Sequence, residues 1–318
     1  MKSCLHAAMA GAQRVVYVDS GSEDGSAQYA ESAGCIVVQL DPAQPFSAAR
    51  ARNEGFACVM ERDPNVDFVQ FVDGDCDLVD GWLDRGVEAL NHRPDVGMVF
   101  GHLREIHPEA SIYNRLGDLE WRQAPGEMRS SGGIFMIRRE IFSAAGGFRP
   151  DVIAAEDDEF SIRVRGLGWK ILLLDAPMAS HDMAMTRFSE WWARTRRTGH
   201  AYAHVAAIHG QGEERYFVGN CRKVWLWALV LPVFALCLAP FTYGLSLAAM
   251  LALYALQFGH IYLGGRKRGW GAGDALIYAF FTVIAKFPML EGLLEYNWRQ
   301  RRGRAMTIIE YRGSKRSQ

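Results

Sequence analysis

The chain has 318 residues, with 35 Lys and Arg against 36 Asp and Glu, and 49% of its residues are hydrophobic. That length suits one large domain or two smaller ones, and near-neutrality means that charge alone names no partner. Cysteines at positions 4, 35, 58, 76, 221 and 237 show no CxxC spacing and no clustering with histidine, which excludes a disulfide framework or zinc site and points to reduced thiols in the cytosol.

The opening MKSCLHAAMAG reads as a helix without the apolar core of a signal peptide. Val15-Val16-Tyr17-Val18 is a short β-rich run that ends in the polar turn Asp19 to Gly25. A helix is expected over Ser26 to Ala33, a strand over Cys35 to Leu40 and a helix over residues 47 to 61. Phe68 to Val72 is again strand-like and breaks abruptly into Asp73, Asp75, Asp77 and Asp80, with Asp80-Gly81-Trp82 opening the next helix. Val96 to Leu103 is a further strand, and Ser131-Gly132-Gly133 precedes the strand-like Ile134 to Ile137. Strands alternating with helices predict an α/β layered domain with a mostly parallel sheet. Ligands bind beyond the carboxyl ends of such strands, where Asp19, Asp24, Asp73 and Asp75 fall. Carboxylates delivered there by a buried strand suit a hard divalent ion, Mg2+ or Mn2+, whose remaining positions take water and substrate phosphates.

The last third is different. Residues 224–239 and 241–263 contain no Asp, Glu, Lys or Arg, and a Pro- and Gly-bearing junction separates them. Together they supply nearly two membrane spans. Arg215, Arg222 and Lys223 precede the pair and Arg266, Lys267 and Arg268 follow it, so both ends are expected in the cytoplasm. Ala275 to Leu294 is apolar but holds Lys286, Pro288 and Glu291, with Trp298 just beyond, and reads as a helix lying in the interface. A basic tail follows, from Arg299, Arg301 and Arg302 through Arg304, Arg312, Lys315 and Arg316. Such a tail suits nucleic acid or an anionic membrane surface, and the apolar stretches upstream favour the membrane, with no nucleic-acid partner expected. Before the spans, Trp191 and Trp192 stand among Arg187, Arg194, Arg196 and Arg197, an aromatic and basic helix suited to headgroup contact. His200, His204 and His209 read as surface or interface histidines.

The stretches VVYVDSGSEDGS, FSAARARNEGF, FVDGDCDL, SSGGIFMIRREIFSAAGGF and EDDEFSIRVRGLGWKI, in this order and spacing, resemble family 2 glycosyltransferases of the GT-A fold. The resemblance covers roughly residues 1 to 205, and the C-terminal AKFPMLEGLLEYNWRQRRGR looks like membrane-attached bacterial members. It implies a nucleotide-diphosphate-sugar donor, a divalent cation and an inverting displacement. By resemblance, Asp75 binds the metal, and Asp73 holds metal or ribose. Asp19 meets the nucleobase, Ser22 and Asp24 share the nucleotide pocket, and Arg52, beside Asn53, contacts the diphosphate or forms a surface salt bridge. Asp157 is the catalytic base, Glu156 shapes the acceptor side with Gly132 and Gly133, and His181 completes the metal site. Arg163, four residues past Glu159, reads as its ion-pair partner.

Members of the family usually begin with a strand lining the nucleobase pocket, and this chain starts inside what reads as the following helix, so that either the start is mis-set or the strand is missing. The expected organisation is a catalytic domain over 1–205, a linker over 206–223, two spans over 224–263, then an interfacial helix and basic cytoplasmic tail over 264–318. The expected activity is sugar transfer to a lipid-linked or polysaccharide acceptor at the cytoplasmic face of the inner membrane. The alternatives are an inactive nucleotide-sugar-binding protein of the same fold, and a nucleotidyltransferase, which would be expected to carry a basic Gly-rich phosphate loop.

Overall fold

The structure is a computed structural model that describes residues 1–303. Arg304, Glu310, Arg312, Lys315 and Arg316 of the basic tail lie outside the described residues. The chain forms two compact units, Met1–Ile106 with Glu120–Met183, and His107–Leu119 with Ala184 onward.

The first unit begins with α1 (Lys2–Gly11), β1 (Val16–Asp19), α2 (Ser26–Ser32), β2 (Ile36–Gln39) and α3 (Ala48–Arg62). It continues with β3 (Phe68–Phe71), β4 (Cys76–Leu78), α4 (Trp82–His92) and β5 (Val96–Glu105). After α5 (Ile112–Trp121), most of which belongs to the second unit, come β6 (Gly126–Met128), β7 (Phe135–Arg138), α6 (Arg139–Ala144), α7 (Glu156–Gly166) and β8 (Lys170–His181). β1 and β2 pair in parallel as a sheet of their own. The larger sheet runs β3-β7-β5-β8-β4, with β6 also on β8.

The expectation of a mostly parallel sheet is corrected here. In the larger sheet only β5 and β8 run parallel, and the other pairings are antiparallel. β4 and β6 are three residues long, CDL and GEM, too short to show a period, and hydrophobic alternation carries no information about pairing direction.

A cluster of phenylalanines anchors the segments that carry the acidic motifs. Phe71, Phe135, Phe142, Phe148 and Phe160 are all buried. Phe71 stacks on Phe142 at 5.1 Å, and Phe148 lies 4.7 Å from Phe160. Each such pair contributes about 0.5–1.5 kcal/mol beyond area burial. Phe71 is two residues before Asp73 and Phe160 three after Asp157, so the cluster fixes both acidic segments. The neighbouring Asn53 side chain brackets Phe148, donating to its carbonyl and accepting from its amide, each at 2.8 Å.

In the second unit, α8 (Phe188–His209) is followed by a continuous run of α9 (Val218–Trp225), a π turn (Leu226–Val230) and α10 (Leu231–Leu238). Then come α11 (Leu245–Lys267), α12 (Ala272–Ile284) and α13 (Lys286–Arg301). Three stretches, Val218–Leu238, Leu245–Lys267 and Ala272–Arg301, are long and apolar enough to cross a membrane. The stretch expected to lie flat is therefore long enough to span, and its carboxylates are engaged within the unit. Glu291 accepts from Trp192 Nε1 at 3.0 Å, and Glu295 pairs with Arg299 at 3.0 Å. Arg115 likewise holds Asp274 at 2.6 Å.

Of the surface or interface readings of these histidines, the surface one is corrected for His200 and His204, which are buried with both rings packed on Tyr296, at 5.4 and 5.1 Å. Burial pushes the His200 pKa down to about 4, so the ring stays neutral. The helices α8 and α13 approach at glycines: a Cβ on Gly292 would stand 2.0 Å from the Arg196 carbonyl oxygen, and one on Gly199 2.0 Å from that of Met289. Gly292→Ala must push two backbones apart. The expected cost is about 3 kcal/mol, the upper range for overpacking, read as a lowered thermal midpoint of the detergent-purified chain. An unchanged midpoint would refute this packing.

Candidate active site

The turn from β3 into β4 carries Asp73 and Asp75. β4 pairs antiparallel with the end of β8, Cys76 opposite His181. That register sets Asp75 beside the histidine, with Asp75 Oδ2 3.4 Å from His181 Nε2. The Asp182 amide donates to the Asp75 carbonyl at 3.3 Å and secures the pairing. Asp75, Cys76 and His181 offer ligand atoms within 4.8 Å of one another. The Cys76 thiol is buried and donates to Asp75 Oδ1 at 3.6 Å. Burial, then the Asp75 charge, push its pKa well above the usual thiol range, so it keeps its proton. A thiol is also a soft ligand. The carboxylate of Asp75 and the imidazole of His181 are thus the donors suited to a hard divalent cation, and Cys76 supports them from beneath.

Asp73 is outside that group. Its Oδ1 accepts from Arg52 Nη2 at 2.7 Å, and Arg52 Nη1 donates to Glu156 Oε1 at 2.8 Å. Arg52 therefore bridges the β3–β4 turn to the first turn of α7. Burial alone would depress its pKa, but the Asp73 and Glu156 carboxylates outweigh that and hold it above the ordinary value. Gly133 lies against this bridge: a Cβ there would stand 2.8 Å from Arg52 Nη2 and 2.9 Å from Asp73 Oδ2. Gly132 has φ +73°, and its missing Cβ would sit 3.9 Å from Asp157 Oδ2.

Asp157 lies in the first turn of α7, entered through Ala155 at φ 56°. Burial, followed by the charges of Asp158 and Glu156, raises its pKa, with Arg52 pulling the other way. Two residues past Asp157, Glu159 is fully buried and paired with Arg163 at 2.7 Å. The i,i+4 pair thus forms as its spacing suggests, inside the fold.

Asp73, Trp121, Gly132, Gly133, Asp157 and His181 line one cavity of about 710 Å3. Asp19 is buried at the end of β1, where its Oδ2 accepts from the amides of Gly21 and Ser22, each at 3.0 Å. Its Oδ1 has no hydrogen-bond partner among the described residues. Asp24 is exposed, and its Oδ1 accepts from the Ser26 amide at 3.0 Å, the start of α2. Ser22 is exposed in the same loop.

Sequence reasoning passed over Trp121 and Glu105. The strand-end rule that selects Asp19 applies equally to Glu105, the last residue of β5. No pattern marks Trp121, whose ring meets His181 edge-on at 5.1 Å.

The sequence profile of Glycosyl transferase family 2 matches residues 1–189. The chain belongs to this family. A curated relative, Glycosyltransferase AglE of Haloferax volcanii, is 23% identical over 225 residues, which is 68% of this chain and 69% of the relative. Among solved structures, the mannosyltransferase PcManGT of Pyrobaculum calidifontis, in complex with GDP-Man and Mn2+, is similar with TM-score 0.55 and 17% identity. That similarity covers 90% of this chain and 78% of that one. S. aureus TarS is similar with TM-score 0.44 and 15% identity over 87% of this chain, which spans about half of that protein's length (49%). The architecture of this family 2 glycosyltransferase is therefore the GT-A fold with membrane-length helices at its C-terminal end.

Proposed function

We propose that this family 2 glycosyltransferase moves a sugar from a nucleotide-diphosphate donor to an acceptor hydroxyl with inversion. The observation that carries the reading is the single cavity into which Asp157, Asp73 and His181 all open. Asp157, its pKa raised by burial, takes the acceptor proton. The unpartnered Oδ1 of buried Asp19 accepts a nucleobase N–H, and the Asp19 loop containing Ser22 and Asp24 forms the rim of that pocket. Arg52 keeps Asp73 and Glu156 in place, and Gly132 and Gly133 let the acceptor side approach the backbone. Asp75 and His181 fit Mn2+ or Mg2+, which when bound would neutralise charge growing on the leaving nucleoside diphosphate.

The chain acts at the cytoplasmic face of the inner membrane on a lipid-linked or glycan acceptor. Arg222 and Lys223 before α10, and Arg266, Lys267 and Arg268 at the C-terminal end of α11, support a hairpin with both ends in the cytoplasm. Trp298, 44% exposed with the Arg302 guanidinium 4.5 Å from its ring centroid, suits the headgroup level for the last helix.

The Pyrobaculum neighbour carries GDP-Man and Mn2+, so GDP-sugars head the test, with UDP- and dTDP-sugars beside them. Purified full-length chain is expected to turn over one donor class only with Mn2+ or Mg2+. Losing a few kcal/mol of charge stabilisation predicts a fall of at least ~100-fold in Asp75→Ala. Equal turnover in chelator would refute the metal, and no turnover of any donor would refute the donor class.

A further inference from the structure

His181 ends β8 with its two ring nitrogens facing different carboxylates. Nε2 is 3.4 Å from Asp75 Oδ2, and Nδ1 is 3.9 Å from Glu105 Oε2. Glu105 is the last residue of β5 and stands opposite His181 in the parallel register, so the sheet itself sets the two side by side. Its side chain is fully buried, and Oε2 is fixed by accepting from the Met183 amide at 2.9 Å. His181 Nδ1 is buried too and has no hydrogen-bond partner. The Trp121 ring meets the imidazole edge-on at 5.1 Å.

We propose that Glu105 is a positioning residue that fixes the tautomer and orientation of His181, so that Nε2 offers its lone pair on the Asp75 side. The inference rests on the metal reading above. A ligating imidazole is neutral, so a lone pair on Nε2 requires the proton on Nδ1. Nδ1–H then needs an acceptor. Across the buried gap the only carboxylate within 4 Å, among the described residues, is Glu105, and a small rotation of the ring closes 3.9 Å to hydrogen-bond length. Outer carboxylates on ligating histidines do this elsewhere, and their loss weakens metal affinity about 10–100-fold. Asp75 cannot serve, since it lies on the Nε2 side as a ligand itself.

The test titrates the detergent-purified full chain with Mn2+ alone and follows loss of the free-ion EPR signal. Glu105→Ala is expected to weaken Mn2+ binding about 10–100-fold. Glu105→Gln, which keeps an acceptor for both Met183 N–H and His181 Nδ1–H, should recover most of that loss with an unchanged thermal midpoint. If the alanine variant fails to fold, the glutamine variant is compared with His181→Ala: affinity at the wild-type level or a few-fold weaker supports the role, and affinity as low as without His181 overturns it. Wild-type affinity in Glu105→Ala also overturns it. A wild type that binds no Mn2+, like Asp75→Ala, sinks the metal reading and the Glu105 role with it, a result distinct from tight binding shared by all Glu105 variants.

Discussion

Asp157→Asn is expected to lower sugar transfer by about 10²–10⁴-fold, the usual contribution of a positioned base, without unfolding the protein. Asparagine matches the shape of aspartate but cannot take the acceptor proton. The pH dependence gives a second reading of the same group. The raised pKa of Asp157 comes first from burial and then from Asp158 and Glu156. Because the base must be ionised, transfer should rise with pH along a limb lying well above the ordinary carboxylate value of about 4. Stability moves the opposite way. A carboxylate whose folded pKa exceeds its unfolded one contributes stability that is fully present below the unfolded value and is lost as pH rises through the folded one. Asp157→Asn removes that loss, so the variant should resist unfolding better than wild type on the alkaline side and match it in acid. Rate profiles and thermal midpoints across pH check both limbs. Transfer that survives in Asp157→Asn, or an acid limb at the ordinary carboxylate position, would remove Asp157 as the base.

How far the sequence alone reaches depends on whether a feature is local. Asp73, Asp75 and Asp157 are legible as carboxylates that a buried strand or a helix start delivers to a predictable end, while the roles assigned to them come from the resemblance to the family. His181 is legible by position, as the residue that closes a strand. The sheet's mixed direction is not legible, because β4 and β6 are three residues long and the partner of β4 is β8, more than 90 residues on. Arg52 is the clearest case of a residue whose place is legible and whose contacts are not. Its helix is predictable from Ser47, whose hydroxyl caps it at the Arg50 amide. Its partner Glu156 is 104 residues away, so nothing local says that its fork is taken by two carboxylates. Similarly, Lys286 and Glu291 look like interface charges in sequence, while Glu291 is bonded to Trp192, 99 residues earlier.

Arg52→Met is expected to damage both stability and turnover, and Arg52→Lys separates its two readings. Arg52 and Glu156 have side chains only 10% exposed, whereas Asp73 is 43% exposed. Breaking a buried pair costs about 3–5 kcal/mol because a charge is left without a partner. Here Glu156 carries most of that, since the exposed Asp73 turns to water at little cost. A loss of about 3 kcal/mol should appear as a lowered thermal midpoint. Turnover suffers separately, because the β3–β4 turn and the start of α7 lose their common tie, and a misplacement of about 1 Å costs roughly 100-fold. Lysine keeps the positive charge as a single flexible point and cannot hold two carboxylates with the geometry of a fork. If Arg52 acts as the bridge, Arg52→Lys should stay near the arginine-free variant in kcat/KM while recovering part of the stability. If instead its work is to grip the donor diphosphate, lysine, itself a good phosphate binder, should restore donor KM, and Arg52→Met should unfold at nearly the wild-type temperature. Thermal midpoints and donor KM for the two variants decide between a bridge and a grip.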